Sequence, residues 1–240
     1  MKTKVLNLFP INVIWFADRP NPFKCINSQY KQSSYHKIVL GYWRTPFFTK
    51  VIDLSQDLAI IETQMPAKTA YEIRRGIKDG INTTLEIDID HFIDFYNEFA
   101  KIKKLKPLNA KLKEYLNPLI ITKSRFDGKD LVMHAYVSDR QSMRVRLLHS
   151  ASLFRAENST ADKATIGRAN RLLHYKDICM FKELGYTTYD LGGYALGTVD
   201  VNLSSINQFK DGFGATLLQE SDFLPLPGVF LSFLHKILRS

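Results

Sequence analysis

SMRVRLLHSASLFRAENSTADKATIGRANRLLHYKDICMFKELGYTTYDLGG, residues 142–193, runs strand, polar loop, helix, strand. Ser142–Ser150 is an apolar and branched run with strand character. After Ala151 the polar stretch RAENSTADKAT enters the helical pattern IGRANRLLHYKDICMFKEL, which Gly185 stops. Tyr186–Leu191 is a short β-branched and aromatic strand closing on Gly192-Gly193. A long helix between two such strands is a β-α-β step.

Upstream, Pro118–Lys123 and Lys129–Ser138 flank Phe126-Asp127-Gly128, a hairpin turn where glycine takes positive φ. A short Asp139-Arg140-Gln141 turn joins them to Ser142–Ser150, so the three strands form an antiparallel meander. Val132, His134 and Tyr136 then share one face of the middle strand, and Leu131, Met133 and Ala135 the other. KTAYEIRRGIKDG (Lys68–Gly80) places Ala70, Ile73 and Ile77 at helical spacing. Asp90 caps a second helix whose Phe92, Phe95, Phe99 and Ile102 repeat every three or four positions, and Pro107 ends it. Its basic tail, Lys101 to Lys106, suits the negative end of the helix dipole.

Before these helices, residues 1–16 form a first strand, and Tyr35–Tyr42 and Phe47–Asp53 form two strands about an Arg44-Thr45-Pro46 turn. The opening MKTKVLNLFPINVIWF imitates a signal peptide faintly, but Pro10 and Asn12 break the apolar run. Downstream, a helix over about Val201–Gly212 precedes a strand at Phe213–Gln219. A run of strands followed by β-α-β predicts an α/β chain with a mixed sheet covered by helices. We expect one domain over residues 1–240, with a β-rich extension at 1–55 within it.

The chain has 240 residues, 45% hydrophobic and 24% charged, which excludes a disordered or disulfide-built protein. Lys and Arg number 33 against 24 Asp and Glu, a net +9 that suits anionic partners: phosphate-bearing small molecules, nucleic acid or an acidic membrane face. Cys25 and Cys179 are the two cysteines, and no CxxC or Cys/His cluster marks a metal site. That usage fits a reducing cytoplasm. No apolar run is long enough to span a membrane. The apolar C-terminal FLPLPGVFLSFLHKILRS carries a Leu231, Leu234, Leu238 stripe that suits a packed or oligomer-contacting helix better than an anchor.

A helix N-terminus carries unpaired N–H groups and positive partial charge, so it favours phosphate. In Ala164-Thr165-Ile166-Gly167-Arg168-Ala169-Asn170, Gly167 and Ala169 allow close approach of a phosphate and Arg168 adds charge. The stretch lacks the Gly-Lys-Ser/Thr of a Walker A loop, and an ordinary helix start accounts for it equally well.

The order of elements and these words resemble the GNAT acyltransferase superfamily, whose loop after the fourth core strand reads Gln/Arg-x-x-Gly-x-Gly/Ala. Gly167-x-Ala169 matches the second half of that pattern, while Ala164 stands where Gln or Arg is expected. The chain resembles more closely the Fem-type branch, on Gly167–Tyr175, on Tyr189-Asp190-Leu191-Gly192-Gly193, and on Ile206–Lys210 with Phe213-Gly214. The resemblance implies a GNAT-like, largely antiparallel central sheet flanked by helices. It also implies acyl-CoA as co-substrate, cradled by Gly167, Arg168 and Ala169. Fem proteins with two such domains are much longer. The resemblance therefore implies an N-acyltransferase acting on a nucleotide-linked amino sugar, especially a dTDP-linked 3-amino-3,6-dideoxyhexose, in surface-polysaccharide synthesis.

Amide formation from a thioester needs an unprotonated amine, an oxyanion donor and a proton for the leaving thiolate. The resemblance puts a backbone N–H donor around His149–Ala151. A sugar amine with a pKa near 7.7–8, about that of an α-amino group, needs only a modest base. His134 is the leading candidate base, with Tyr136 beside it on the substrate side; a His packed inside the sheet is the plain alternative. His149 is the second candidate, and its phase with Val145 and Leu147 turns it toward the core. Asp190 binds the sugar or orients a His, or serves a turn. Asn170 and His174, four apart, form either a polar wall of the cleft or a tie between helix and strand. Arg144 and Arg146 project to one side, where they hold a diphosphate or face solvent. Lys210 reaches a CoA phosphate or the acceptor, or is simply exposed. Tyr189, Tyr194 and Ser204 are further proton donors. No activated Cys or Ser–His–Asp motif is present, which fits direct attack without a covalent intermediate. Two competing readings are a tRNA-dependent aminoacyl transferase and a non-catalytic nucleic-acid-binding protein. The latter lacks an RRM-type word or a base-reading basic helix, so no nucleic-acid partner is expected.

Overall fold

A computed structural model describes residues 2–5, 9–110, 112, 119–153 and 163–228 of the chain. The chain divides into a larger unit, Lys50–Gly192 with Gly197–Thr216, and a smaller one built from Met1–Thr49, Gly193–Leu196 and Leu217–Ser240. The C-terminal stripe Leu231, Leu234, Leu238 lies outside the described residues.

The larger unit contains the end of β4 (Tyr42–Asp53), then α1 (Leu58–Thr63), α2 (Ala67–Lys78), β5 (Asn82–Glu86) and α3 (Ile89–Lys103). The meander β6 (Leu119–Phe126), β7 (Lys129–Asp139) and β8 (Arg144–Ser152) follows, then α4 (Lys163–Glu183), β9 (Thr188–Gly193) and α5 (Val201–Asp211). Its strands lie in the order β4-β9-β8-β7-β6-β5. Pairing is antiparallel from β5 through β8 and parallel between β8 and β9. This is the expected mixed, largely antiparallel sheet with helices against it.

Local chemistry explains most of the boundaries. Asp127 and Gly128, at φ 49° and 71°, make the two-residue turn of the β6–β7 hairpin. Gly185, at φ 82°, ends α4, and the Tyr186 N–H donates to Phe181 O at 3.0 Å. The cap of α3 is Asp88, whose carboxylate accepts from the N–H groups of Asp90 and His91; Asp90 lies in the first turn instead of capping it. The helix ends at Lys104, in the left-handed region, three residues before Pro107. Strand β5 has a single apolar residue and helix α1 is only 6 residues long, so neither carries a periodic signal in the sequence.

Two layers of core cover the sheet. On one face Val132, Tyr136, Val145 and Leu147 pack with Ile166, Ala169, Leu172, Leu173, Ile178 and Phe181 of α4. On the other, Met133, Ala135 and Val137 pack with Phe92, Phe95, Tyr96 and Ala100 of α3. Leu131 joins the α4 face beside Val132, contrary to simple alternation. The register steps from Ser124↔Val132 to Arg125↔Asp130, which leaves Leu131 in a β-bulge. Helix α2 also differs from its sequence pattern. Its buried stripe is Thr69, Ile73 and Gly76, with Ile77 exposed, because Gly76 lets α2 approach α4: a β-carbon there would sit 3.4 Å from Leu172 Cδ2.

In the smaller unit the strands lie in the order β1-β2-β3-β10-β4 (β1 Lys2–Val5, β2 Phe9–Trp15, β3 Ser28–Ser33, β10 Thr216–Pro225). The expected single first strand is thus two, paired antiparallel. Tyr35–Tyr42 is not a strand. Val39 and Tyr42 turn inward onto Tyr30 and Phe223, and the Tyr42 N–H donates to Val39 O at 3.2 Å across a turn. Strand β4 begins at Tyr42 and passes through Arg44-Thr45-Pro46 without turning.

Candidate functional site

The parallel ladder between β8 and β9 is short: Arg144↔Thr188, Val145↔Tyr189 and Arg146↔Asp190. Beyond it β8 continues to Ser152 along β7 alone among the described pairings. A second bulge sits where the two strands diverge. The β7–β8 register steps from Ala135↔His149 to Tyr136↔Leu147, so Leu148 is the extra residue, and a bulge bends and twists its strand. Opposite it, Gly192 has φ 78°, and a β-carbon there would lie 3.0 Å from Leu147 O. The two strands touch at that point, and their ladder opens there: no β8–β9 pair is described past Arg146↔Asp190.

Charged groups concentrate at its edge. Asp190 is fully buried; its Oδ2 accepts from Arg144 at 2.6 Å and its Oδ1 from the Gly192 N–H at 2.7 Å. Lys210, from α5, donates to Gly192 O at 3.1 Å. Burial, helped by the Arg146 charge and opposed by Asp190, lowers the Lys210 pKa to about 8. At neutral pH Lys210 is therefore an ammonium that gives up its proton unusually readily. The Leu148 bulge also corrects the phase of His149, which lies on the α3 face with its ring edge-on to Tyr96 at 5.1 Å, away from Val145 and Leu147. Burial and then Arg146 lower its pKa to about 4.

A second constellation lies inside, between β6, β7, β9 and α4. Asp177 Oδ2 accepts from Tyr136 Oη at 2.5 Å, His134 Nδ1 at 2.9 Å and Thr122 Oγ1 at 3.1 Å. His134 Nε2 lies 3.0 Å from Asn170 Oδ1. Tyr189 Oη lies 2.8 Å from Tyr136 Oη and 2.7 Å from His174 Nδ1. Burial first, then the charges of His134, Lys210 and Arg171, push the His174 pKa well below its ordinary value. Burial and Asp177 push both tyrosines well above theirs. In such a buried network each group satisfies another.

The structure brings His134, Tyr136, Asn170 and His174 together where α4 meets the sheet. His134 is fully buried and both its ring nitrogens meet protein groups, so it is not presented to an amine. Asp190 stands apart from it, beside Arg144 and Lys210 at the opening. Arg144 is spent on Asp190 instead of facing solvent. Of the phosphate-loop residues, Ala169 is fully buried in the core. Arg168 pairs with Asp79 at 2.9 Å and donates to Thr165 Oγ1 at 2.8 Å. Gly167 lies within α4, where a β-carbon would meet only the Arg171 guanidinium, at 3.5 Å. A β-carbon has room at Gly167, and the Arg168 charge is already engaged with Asp79. Asp177 and Thr122 were missed. Asn170, His174 and Asp177, at i, i+4 and i+7 on one helical face, were the signal available for Asp177. Among the described residues no group of three or more His, Cys, Asp or Glu is placed to hold a metal ion. No described helix is long and apolar enough to cross a membrane.

No protein-family model matches the sequence, and no curated protein is similar to it. Solved structures are. The crystal structure of FemX superposes with a TM-score of 0.62 at 10% identity, over 97% of this chain and 85% of that one. The C-terminal domain of a candidate lysylphosphatidylglycerol synthetase from Agrobacterium fabrum gives 0.56 at 14%, over 86% and 70%. L-PGS from Bacillus licheniformis gives 0.55 at 13%, over 86% and 72%. At these identities the likeness shows a shared fold, the mixed and largely antiparallel sheet flanked by helices described above.

Proposed function

We propose that the chain transfers an acyl group from an activated carboxyl donor to an amine, with the acyl end of the donor lying in the opening between β8 and β9. That opening carries the reading. The described pairing of these two interior strands ends at Arg146↔Asp190, and a bulge at Leu148, a left-handed Gly192 and a readily deprotonated lysine gather where it ends. The amine attacks the carbonyl carbon, the resulting oxyanion takes hydrogen bonds from backbone N–H groups of β8 beyond the ladder, and the carbon–sulfur or carbon–oxygen bond breaks. Lys210 supplies the proton that the leaving group needs, and Asp190 with Arg144 holds the turn at Gly192 in place. An amine of pKa about 8 is partly neutral at physiological pH, so water suffices to deprotonate it. His134 then acts as a positioning residue that fixes α4 on the sheet.

In the finer form of this proposal the donor is acyl-CoA, with its pyrophosphate near Gly167 and Lys210. The acceptor is the amino group of a dTDP-linked 3-amino-3,6-dideoxyhexose, and Arg146 faces its diphosphate. A second reading takes the donor as an aminoacyl-tRNA. It is favoured by the likeness to FemX and to the two lysylphosphatidylglycerol-type structures, and by the engagement of Arg168 with Asp79. The test is to incubate the chain with acetyl-CoA and the amino sugar, and separately with aminoacyl-tRNA and an amine acceptor, reading products by mass. Acetylated sugar with thiol release supports the first reading, and transfer from tRNA supports the second. Absence of both overturns acyl transfer.

A further inference from the structure

Two neighbouring tips of the smaller unit expose large apolar side chains that a folded protein normally hides. The first tip is the 3-10 turn Pro22–Lys24 and the residues after it, and the second is Ile38–Gly41. Cys25 from one and Val39 from the other pack in the same small core with Tyr30 and Phe223. Gly41 lies so close to Cys25 that a β-carbon on it would fall 2.6 Å from Cys25 Cβ, which sets the tips side by side. Beside these inward anchors the outward residues stand almost free: Phe23 is 94% exposed, Ile26 76%, Ile38 87% and Leu40 86%.

The stretch of chain that builds them carries charge of one sign. From Pro20 to Arg44 the chain carries Lys24, Lys31, Lys37 and Arg44 and no Asp or Glu. Lys31 is spent on Asp222 at 2.6 Å, and Arg44 donates to Ser221 Oγ. Lys24 and Lys37, the lysines on the tips themselves, are exposed, and no ion pair among the described residues engages either.

We propose that these tips dock the protein on a bilayer containing anionic lipid, with Phe23, Ile26, Ile38 and Leu40 entering the acyl boundary and Lys24 and Lys37 meeting headgroup phosphates. Exposed apolar side chains on two adjacent turns suit a fluid layer, which accepts them without a preformed groove. Unpaired lysines beside them match a negative surface. The inference goes beyond the transfer reaction and does not depend on it.

The test is flotation of the full chain with vesicles of phosphatidylcholine and phosphatidylglycerol in equal parts, and with phosphatidylcholine alone. The wild type floats with the mixed vesicles, and added salt weakens the binding. Ile38→Ser with Leu40→Ser lowers partitioning on the order of tenfold or more. Lys24→Gln and Lys37→Gln lower it about fivefold each on the mixed vesicles alone. All of these variants keep the wild-type melting curve, because the side chains changed are exposed. Failure of the wild type to float, or flotation of the variants equal to wild type, overturns the proposal. So does a wild-type dimer in sedimentation velocity that Ile38→Ser with Leu40→Ser dissolves, which assigns the tips to a second copy of the chain.

Discussion

Asp177→Ala tests whether the inner network is structural or catalytic. One carboxylate oxygen, Oδ2, takes hydrogen bonds from Tyr136, His134 and Thr122, all in the buried interior. Alanine leaves three buried donors facing a cavity. An unsatisfied buried donor costs about 1–3 kcal/mol. Tyr136 recovers some of this by turning its hydroxyl to Tyr189, 2.8 Å away. The net loss is then about 3–5 kcal/mol for the donors left without a partner. For a chain of this length that corresponds to a melting point lower by roughly 10–15 °C. Asp177→Asn keeps one acceptor oxygen and falls between wild type and Asp177→Ala.

The assay is a thermal melt with turnover measured well below the transition. If the network only fixes α4 on the sheet, kcat of Asp177→Ala at low temperature stays within about threefold of wild type. A general base at His134 oriented by Asp177 requires a loss on the order of 100-fold. A melting point within about 3 °C of wild type refutes the structural argument. A large kcat loss with intact folding refutes the assignment of His134 as a positioning residue.

Lys210→Met lowers kcat on the order of 100-fold, and the wild-type rate falls above pH about 8, where the Lys210 ammonium is lost; Lys210→Arg carries the plateau to higher pH. Gly167→Ala raises stability by about 0.5–1 kcal/mol, since a helix interior prefers alanine and the added carbon meets only a movable guanidinium. Calorimetry on the same variant shows weakened CoA binding if the pyrophosphate lies on that backbone and unchanged binding if it lies elsewhere. Acid lowers stability stepwise, because His149 and His174 bind protons in the unfolded chain that they refuse when folded. Their contribution is full above pH about 6.5 and, for His149, is lost toward about 4; His149→Gln flattens that stretch of the curve. Glu86 extends the loss downward. Burial alone would raise its pKa, but bonds from Lys123, the Asp88 N–H and His91 overcome it and hold the value at about 2, so its contribution disappears as pH falls below about 4.5.

What the sequence revealed was whatever a local rule dictates. Asp127-Gly128 and Gly185 mark a turn and a helix end through positive φ, and both stand where the pattern put them. His134 and Tyr136 share a face because strands alternate, and they do meet on Asp177. The misses have tertiary causes. Arg168 looks like a free cation at a helix start until α2 supplies Asp79, a partner 89 positions earlier in the chain. Tyr35–Tyr42 has strand composition, but Val39 and Tyr42 gain more by turning inward onto Tyr30 and Phe223.

The bulges explain the remaining errors and, at the opening, the function proposed. A bulge changes which face every later residue of its strand occupies, yet it has no obligatory residue type. Counting alternate positions from Val145 put His149 on the wrong side, and counting from Met133 misplaced Leu131, each by the one residue that a bulge adds. The partner strand was more informative. Glycine inside a strand weakens it and marks either a bulge or a close backbone approach. Gly192 shows the close approach: any β-carbon at that position would lie 3.0 Å from Leu147 O, directly across from the bulge at Leu148. Read as the mere end of a strand, Gly192-Gly193 says little. Taken with a parallel neighbour rich in charge, the pair marks where the described pairing of two interior strands ends.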